Sequence, residues 1–253
     1  MIRDSKRINF LSCPINNLSM KETLLIIDGF IAKNEPLQHV VVNAAKIVNM
    51  QKDKQLFESV VNSDLINADG QAIVWASRFL KQPLPERVAG IDLMQNLVKL
   101  AHEKKYKIFF FGAKEEIVRA VVERYSKEYS PDIIAGYRNG YYEKEEEESI
   151  AKNIASSGAH ILFVGISSPT KEVFLNKYKD IIKIPFIMGV GGSFDVVAGK
   201  VKRAPVWMQK LGLEWFYRFL QEPRRMWKRY LVTNTLFIYY VFKEKLRMLR
   251  RRS

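Results

Sequence analysis

A carboxylate at the end of a predicted buried strand is the side chain in this sequence best placed for chemistry. Asp69 comes just after the apolar run Leu65-Asn67 and is followed by Gly70. Core packing explains a charged residue at such a place poorly. The local sequence leaves two interpretations even: Asp69 caps the helix that begins near Gln71, or it is a catalytic carboxylate.

Polar and small residues follow other predicted strands as well. Asn43 comes after the run His39-Val42, and Gly112, Gly165 and Gly191 follow three later apolar runs. Glycines let backbone amides approach a phosphate, so a nucleotide or sugar phosphate would fit here, with ordinary turns as the alternative. Their spacing matches neither a dinucleotide-binding fingerprint nor the phosphate-binding loop of NTPases.

One arginine, Arg87, lies in the segment Pro85-Gly90 just before a predicted helix. Its guanidinium could hold a diphosphate, or it could pair with neighbouring Glu86 on the surface. The single cysteine and three histidines have no metal-ligand spacing, and no D-x-D motif is present. We therefore expect chemistry without a metal or a resident cofactor.

Short apolar runs alternate with longer segments of helical period, which is typical of an α/β protein with a mainly parallel sheet flanked by helices. The predicted strands are His39-Val42, Leu65-Asn67, Lys107-Phe111, Asp132-Ala135, His160-Gly165 and Pro185-Gly189. The predicted helices are Lys46-Val61, Ala72-Leu80, Leu93-Lys104, Glu115-Lys127, Glu145-Ser156 and Lys171-Ile182. In such sheets ligands bind beyond the carboxyl ends of the strands, so the polar residues there should meet.

The positive charge is concentrated near the end of the chain. Of a net +14 over 253 residues, the last 40 carry eleven Lys/Arg against three Glu, a net +8. The composition, 47% hydrophobic, is that of a folded protein. We predict an α/β catalytic domain over residues 1–199 and a basic, aromatic helical appendage over residues 200–253.

The appendage is expected to lie on an anionic membrane surface. Its uncharged stretch, Tyr230 to Phe242, has 13 residues and is too short to span a bilayer. Cations beside Trp and Tyr fit a surface-lying segment, with core-packing helices and a solvated basic tail as the alternative. The charge also suggests nucleic acid, but no RNA-binding signature is present, so that reading is disfavoured. The start of the chain has no apolar run typical of a signal peptide, which predicts a cytoplasmic protein.

Taken together, the sequence blocks resemble the WecG/TagA/CpsF family, glycosyltransferase family 26. The matching blocks are Ala68-Asp69-Gly70, Pro85-Gly90, Phe110-Ala113, Gly136-Tyr137, Gly140-Tyr141, Val164-Gly165 with Pro169 and Glu172, Gly189-Asp195, Arg203-Pro205 with Trp207, Gly212-Arg218 and Glu222-Arg225. Each block is weak alone, but their order over most of the chain is specific.

The resemblance implies an inverting, metal-independent transfer of a sugar from a UDP donor to an undecaprenyl-diphosphate-linked sugar, in surface-polysaccharide or teichoic acid synthesis. It makes Asp69 the base, keeps Asn43 beside it, and puts Arg87 near the donor diphosphate. The appendage would close over the site at the inner face of the membrane. Self-association in solution would hide its apolar surface. The residues expected to bind the donor are Gly112, Tyr141, Gly165, Lys171, Gly191, Asp195, Arg218, Arg225 and Lys228.

Two departures from the family pattern leave the donor sugar open. The usual Pro-Lys-Gln-Glu is here Pro169-Thr170-Lys171-Glu172, and the usual Thr-x-Asn is Val41-Val42-Asn43. N-acetylmannosamine, a related uronic acid or another hexose such as glucose all stay open as donors. Lys171 could pair with the diphosphate or with a uronic-acid carboxylate. A family member that has lost activity is a further alternative, against which Asp69 and Arg87 argue.

Overall fold

The central sheet has six strands, all parallel. The structure is a computed structural model that describes residues 7–250, apart from the side chains of residues 225, 226 and 228–230. The strands are β3 (Leu37–Val42), β4 (Leu65–Ala68), β5 (Ile108–Gly112), β6 (Ile134–Arg138), β7 (Ile161–Gly165) and β8 (Phe186–Gly189), preceded by a hairpin of β1 (Arg7–Phe10) and β2 (Cys13–Asn16). Their order in the sheet is β4-β3-β8-β7-β5-β6. The predicted α/β class is confirmed.

Helices cover both faces of the sheet. They are α1 (Met20–Ala32), α2 (Ala44–Met50), α3 (Lys54–Val61), α4 (Gln71–Phe79), α5 (Gly90–Lys104), α6 (Glu115–Glu128), α7 (Glu147–Ala155), α8 (Thr170–Ile182), α9 (Ser193–Val197), α10 (Val206–Lys210), α11 (Glu214–Gln221) and α12 (Pro223–Arg250). One face packs against α1, α5 and α6, and the other against α2, α3, α4, α7 and α8. This double cover explains why the strands are continuous apolar runs.

Three predicted elements differ from the structure by a break or a 3-10 turn. The single helix predicted over Lys46-Val61 is wrong, because the chain breaks and Asp53 caps a second helix by accepting a hydrogen bond from the Leu56 N–H at 2.9 Å. The strand predicted at Asp132-Ala135 starts later, since residues 131–133 form a 3-10 turn. The helix predicted from Glu145 likewise begins with a 3-10 turn, over residues 144–146.

The segment after residue 200 is helical, as predicted, and part of it is core. Phe237 and Val241 of α12 are buried in the same cluster as Phe10 and Ile47, and the Phe10 and Phe237 rings lie 6.1 Å apart. Other large apolar side chains of the segment are exposed. Within residues 7–250, the structure has no helix long and apolar enough to cross a membrane. The domain boundary at residue 200 stays a prediction.

Candidate active site

A cavity of about 570 Å³ lies at the carboxyl ends of β3 and β4. Its polar end is lined by Asn43, Asp69, Arg87, Glu214 and Arg218. Three of these come from loops that follow or adjoin the sheet, and two come from α11. A second cavity, of about 610 Å³, lies between the β1–β2 turn and the end of α12, away from the strand ends.

Backbone pairing of the two strands brings Asn43 and Asp69 together. The Asp69 N–H donates to the Val42 carbonyl at 2.9 Å, which continues the β3–β4 ladder by one residue. A Cβ added at Gly70 would stand 3.4 Å from the Asn43 Cβ. Asn43 itself caps α2, because its Oδ1 accepts a hydrogen bond from the Lys46 N–H at 3.0 Å. The carboxylate and the amide therefore share one wall of the cavity.

The carboxylate of Asp69 does not cap α4. The residue before α4 is Gly70, with no side-chain capping bond, and Asp69 Oδ1 instead accepts from the Gly90 N–H at 3.1 Å, at the start of α5. Burial raises the pKa of Asp69 above its ordinary value, and Glu214 adds to this, while the Gly90 N–H and the charges of Arg87 and Arg218 oppose it. A raised pKa makes the ionised carboxylate a better proton acceptor near neutral pH.

Arg87 is bound to the C-terminal segment through a network of four charged side chains. Its Nη1 donates to Glu214 Oε2 at 3.0 Å. Arg203 donates to both Asp92 oxygens, at 2.5 and 2.9 Å, and to Glu214 Oε1 at 3.2 Å. Glu214 is thus shared by two arginines. This network fixes α11 over the end of β4, which places Arg218 at the cavity.

The turn before α11 also packs directly on α4. A Cβ added at Gly212 would stand 2.7 Å from Gln71 Cγ and 3.2 Å from the Trp75 ring, and the φ of Gly212 is +70°. Only glycine combines that backbone conformation with so close an approach. The helices after residue 200 are therefore held at the cavity in two places.

Lys171 lies in a buried ion cluster rather than in the wall of the cavity. The ammonium groups of Lys171 and Lys46 stand 2.6 and 2.8 Å from the same oxygen of Glu172, and Lys46 also donates to the Val41 carbonyl at 2.8 Å. Burial alone would raise the pKa of Glu172, but the two lysines more than offset it and lower that pKa to about 2. Contact of Lys171 with a donor stays a prediction.

The other predicted donor residues lie along the remaining strand ends. A Cβ at Gly112 would stand 2.5 Å from the Gly165 carbonyl carbon, and one at Gly165 would stand 2.4 Å from the Phe194 ring, so close packing alone requires both glycines. Gly191 has φ +52° and open space on its Cβ side. Asp195 lies in the first turn of α9, and Tyr141 is 67% exposed. Their roles at a donor also stay predictions.

Two predicted cations, Arg225 and Lys228, have side chains outside the described part, although their backbone belongs to α12. The sequence reasoning missed Glu214 as the partner of Arg87, although Glu214 stands in one of the matching blocks. It also missed an apolar half of the cavity. The signal available in the sequence was the spacing of Trp75 and Phe79, which lie one helical turn apart on α4. In the structure these side chains are 52% and 43% exposed.

Known proteins match this chain over most of its length. The family model described as "Glycosyl transferase WecG/TagA/CpsF family" matches residues 8–251. A protein of Bacillus subtilis (strain 168) is 41% identical over 180 residues, which cover 71% of this chain and 69% of that protein. A protein of Staphylococcus aureus (strain MW2) is 33% identical over 244 residues, covering 96% and 94%. Both are named N-acetylglucosaminyldiphosphoundecaprenol N-acetyl-beta-D-mannosaminyltransferase.

Proposed function

This chain is a glycosyltransferase of the WecG/TagA/CpsF family, and we propose that it transfers an N-acetylmannosamine-type sugar from a UDP donor to an undecaprenyl-diphosphate-linked N-acetylglucosamine, with inversion. The names of the relatives motivate this donor sugar and this acceptor. The observation that carries the proposal is the meeting of Asp69, Arg87 and Arg218 in one cavity at the strand ends.

The reaction assigns each polar residue one task. The ionised Asp69 accepts the proton of the acceptor hydroxyl, whose oxygen then bonds to the anomeric carbon from the face opposite UDP. The bond from that carbon to the diphosphate oxygen breaks, and UDP leaves with the electron pair. Such a base must come within about 3 Å of the hydroxyl and contributes about 10²- to 10⁴-fold to the rate.

Charge that develops on the leaving diphosphate needs cations close by. Arg87 and Arg218 line the same cavity as Asp69, and a guanidinium holds a phosphate with two parallel hydrogen bonds. In this structure the Glu214 carboxylate accepts a hydrogen bond from Arg87 and so uses part of the hydrogen-bonding capacity of that guanidinium. A bound diphosphate would take the place of that carboxylate, which couples donor binding to the position of α11.

The exposed surface of the C-terminal helices supports membrane docking. Large apolar side chains stand exposed on α10, α11, the turn between them and α12, among them Trp207, Leu211, Trp215, Leu220 and Trp227. Trp215, Leu220 and Trp227 lie within the last 40 residues, which carry a net charge of +8. Aromatic rings beside cations favour the interface of an anionic bilayer, where the acceptor resides. We place the enzyme on the inner face of the cytoplasmic membrane, with self-association covering this surface in solution.

A donor panel tests the proposal. Purified enzyme is incubated with several UDP-sugars and a short-chain lipid-diphosphate N-acetylglucosamine, with and without chelator, and the products are identified by mass spectrometry. We expect a single added N-acetylmannosamine residue with β configuration, formed equally well with chelator. Absence of transfer from every UDP-sugar would overturn the proposal.

The buried Lys171 makes the donor sugar itself testable. Its ammonium lies 2.6 Å from Glu172 at the position where the family pattern has an amide. If Lys171 recognises an acidic donor, the variant Lys171→Gln should lose activity with a UDP-uronic acid and keep it with the neutral sugar. Equal use of both donors by wild type and variant would remove the uronic-acid version.

A further inference from the structure

We propose that the apolar half of the cavity, between α4 and α12, binds the isoprenoid chain of the acceptor next to its diphosphate. This inference rests on the proposed function and adds the place where the lipid lies. We call this half the isoprenoid groove and define it by Ala72, Trp75 and Phe79 of α4 with Phe237, Ile238 and Phe242 of α12.

The groove is continuous with the polar end of the cavity. Gln71, at the start of α4, comes two residues after Asp69, and the helix then runs to Phe79, which is about 12 Å along its axis. Ala44 and Ala45 at the start of α2 also line the cavity and leave room because they are small. The lining therefore changes from charged to apolar along one direction.

The helix α12 contacts the last turn of α4. The rings of Phe79 and Phe242 meet edge to face at 5.4 Å, and the Lys245 ammonium donates to the Phe79 carbonyl at 2.6 Å. Asn234 lines the cavity two turns before Phe242. The last turn of α4 thus contacts α12 near Phe242, and this contact bounds the groove.

Four of the large side chains that line the groove are apolar but incompletely buried, whereas Phe237 is buried. Trp75 and Phe79 are 52% and 43% exposed, and Ile238 and Phe242 are 55% and 56% exposed. Exposed large apolar side chains that line a cavity gain from a hydrocarbon that displaces water. This surface has the chemistry of a lipid site.

The acceptor has the matching order of groups. Its sugar, whose hydroxyl meets Asp69, comes first, its diphosphate next and its hydrocarbon last, and the lining of the cavity changes from polar to apolar in that order. An isoprene unit has four carbons along its chain, and with carbon bonds of about 1.5 Å it spans about 5 Å. A groove about 12 Å long accommodates about two such units. An acyl chain of the bilayer fits this order less well, since it carries no sugar hydroxyl for Asp69.

The test uses acceptors that differ only in chain length. N-acetylglucosamine diphosphates with one, two and three isoprene units are studied below their micelle concentrations, without detergent or vesicles. Binding is measured by calorimetry and transfer by steady-state kinetics. For wild type we expect kcat/KM and affinity to rise about tenfold or more from one unit to two, because buried methylene groups each contribute favourably. From two units to three the gain should be smaller.

Two variants and one control locate the effect. Ile238→Asn should lower the gain from the second unit at least about fivefold. Ala72→Leu, which narrows the groove, should do the same. The control is Leu246→Asn, on the same helix and 59% exposed, but not among the residues that line the cavity. Circular dichroism checks that all three variants fold.

Separate outcomes overturn the groove and the proposed function. Chain-length-independent binding under these vesicle-free conditions would overturn the groove, since only a bilayer would then hold the chain. An equal loss in Leu246→Asn and Ile238→Asn would overturn it too. Length-dependent binding without transfer from any UDP-sugar would support the groove and contradict the proposed transfer.

Discussion

Arg203 is expected to hold the C-terminal segment at the cavity and to keep Arg87 available for the donor. Its guanidinium makes three hydrogen bonds, two to Asp92 and one to Glu214. The variant Arg203→Gln removes the charge and leaves both carboxylates with Arg87 as their remaining partner in this network. Two effects should follow, one on stability and one on donor affinity.

The stability effect is moderate because these side chains are partly exposed. Hydrogen bonds to charged groups contribute about 1.5 to 3 kcal/mol each when buried. Here Arg203 is 19%, Glu214 21% and Asp92 35% exposed, and solvent screening reduces the total to about 2 kcal/mol. For a chain of this size that lowers Tm by about 4 to 8 °C.

The kinetic effect distinguishes a positioning residue from a merely structural one. Without Arg203, Glu214 pairs more strongly with Arg87, and a diphosphate must displace that pair. We expect the donor KM to rise about tenfold, equivalent to 1.4 kcal/mol, while kcat changes less than about threefold. Arg203→Lys should be intermediate. Steady-state kinetics at saturating acceptor and thermal melts measure both effects; a lower Tm with an unchanged donor KM would refute the reasoning.

Three further predictions concern charge and the C-terminal segment. Glu172→Gln should destabilise the fold by about 3 to 5 kcal/mol in urea titrations, because this carboxylate is the counter-ion of two buried lysines. In the wild type, the stabilisation by Glu172 is complete above pH 4.5 and disappears as the pH falls toward its lowered pKa of about 2. The acidic limb of kcat/KM should lie above pH 3.8, since the ionised Asp69 with its raised pKa is the active form; a limb at or below 3.8 would contradict this. A chain that ends before residue 200 should be almost inactive on the lipid-linked acceptor, and full turnover would refute that.

Much of the sheet was predictable because buried parallel strands leave a local signal. The runs at β3, β4, β5, β7 and β8 are short, apolar and followed by polar turns, and their bounds agree within two residues. The break between α2 and α3 was missed because helical period continues through it, and only the capping by Asp53 reveals it. The hairpin and α1 were also missed.

The polar end of the site was predictable for a topological reason. Carboxyl ends of parallel strands share one edge of a sheet, so Asn43 and Asp69 had to be neighbours once β3 and β4 were neighbours. The pairing of Arg87 with Glu214 joins residues 127 positions apart and depends on where α11 packs. The isoprenoid groove depends in the same way on the packing of α12, which periodicity alone does not determine.

The proton-accepting role of Asp69 is the central claim, and Asp69→Asn tests it most directly. Asparagine keeps the shape and the Oδ1 acceptor for the Gly90 N–H, so the fold and the UDP site should persist. Turnover is measured with the lipid-linked acceptor and UDP binding by calorimetry. We predict a rate loss of about 10²- to 10⁴-fold with the Kd for UDP within about threefold of wild type. Turnover near the wild-type rate, or joint loss of turnover and UDP binding, would contradict the claim.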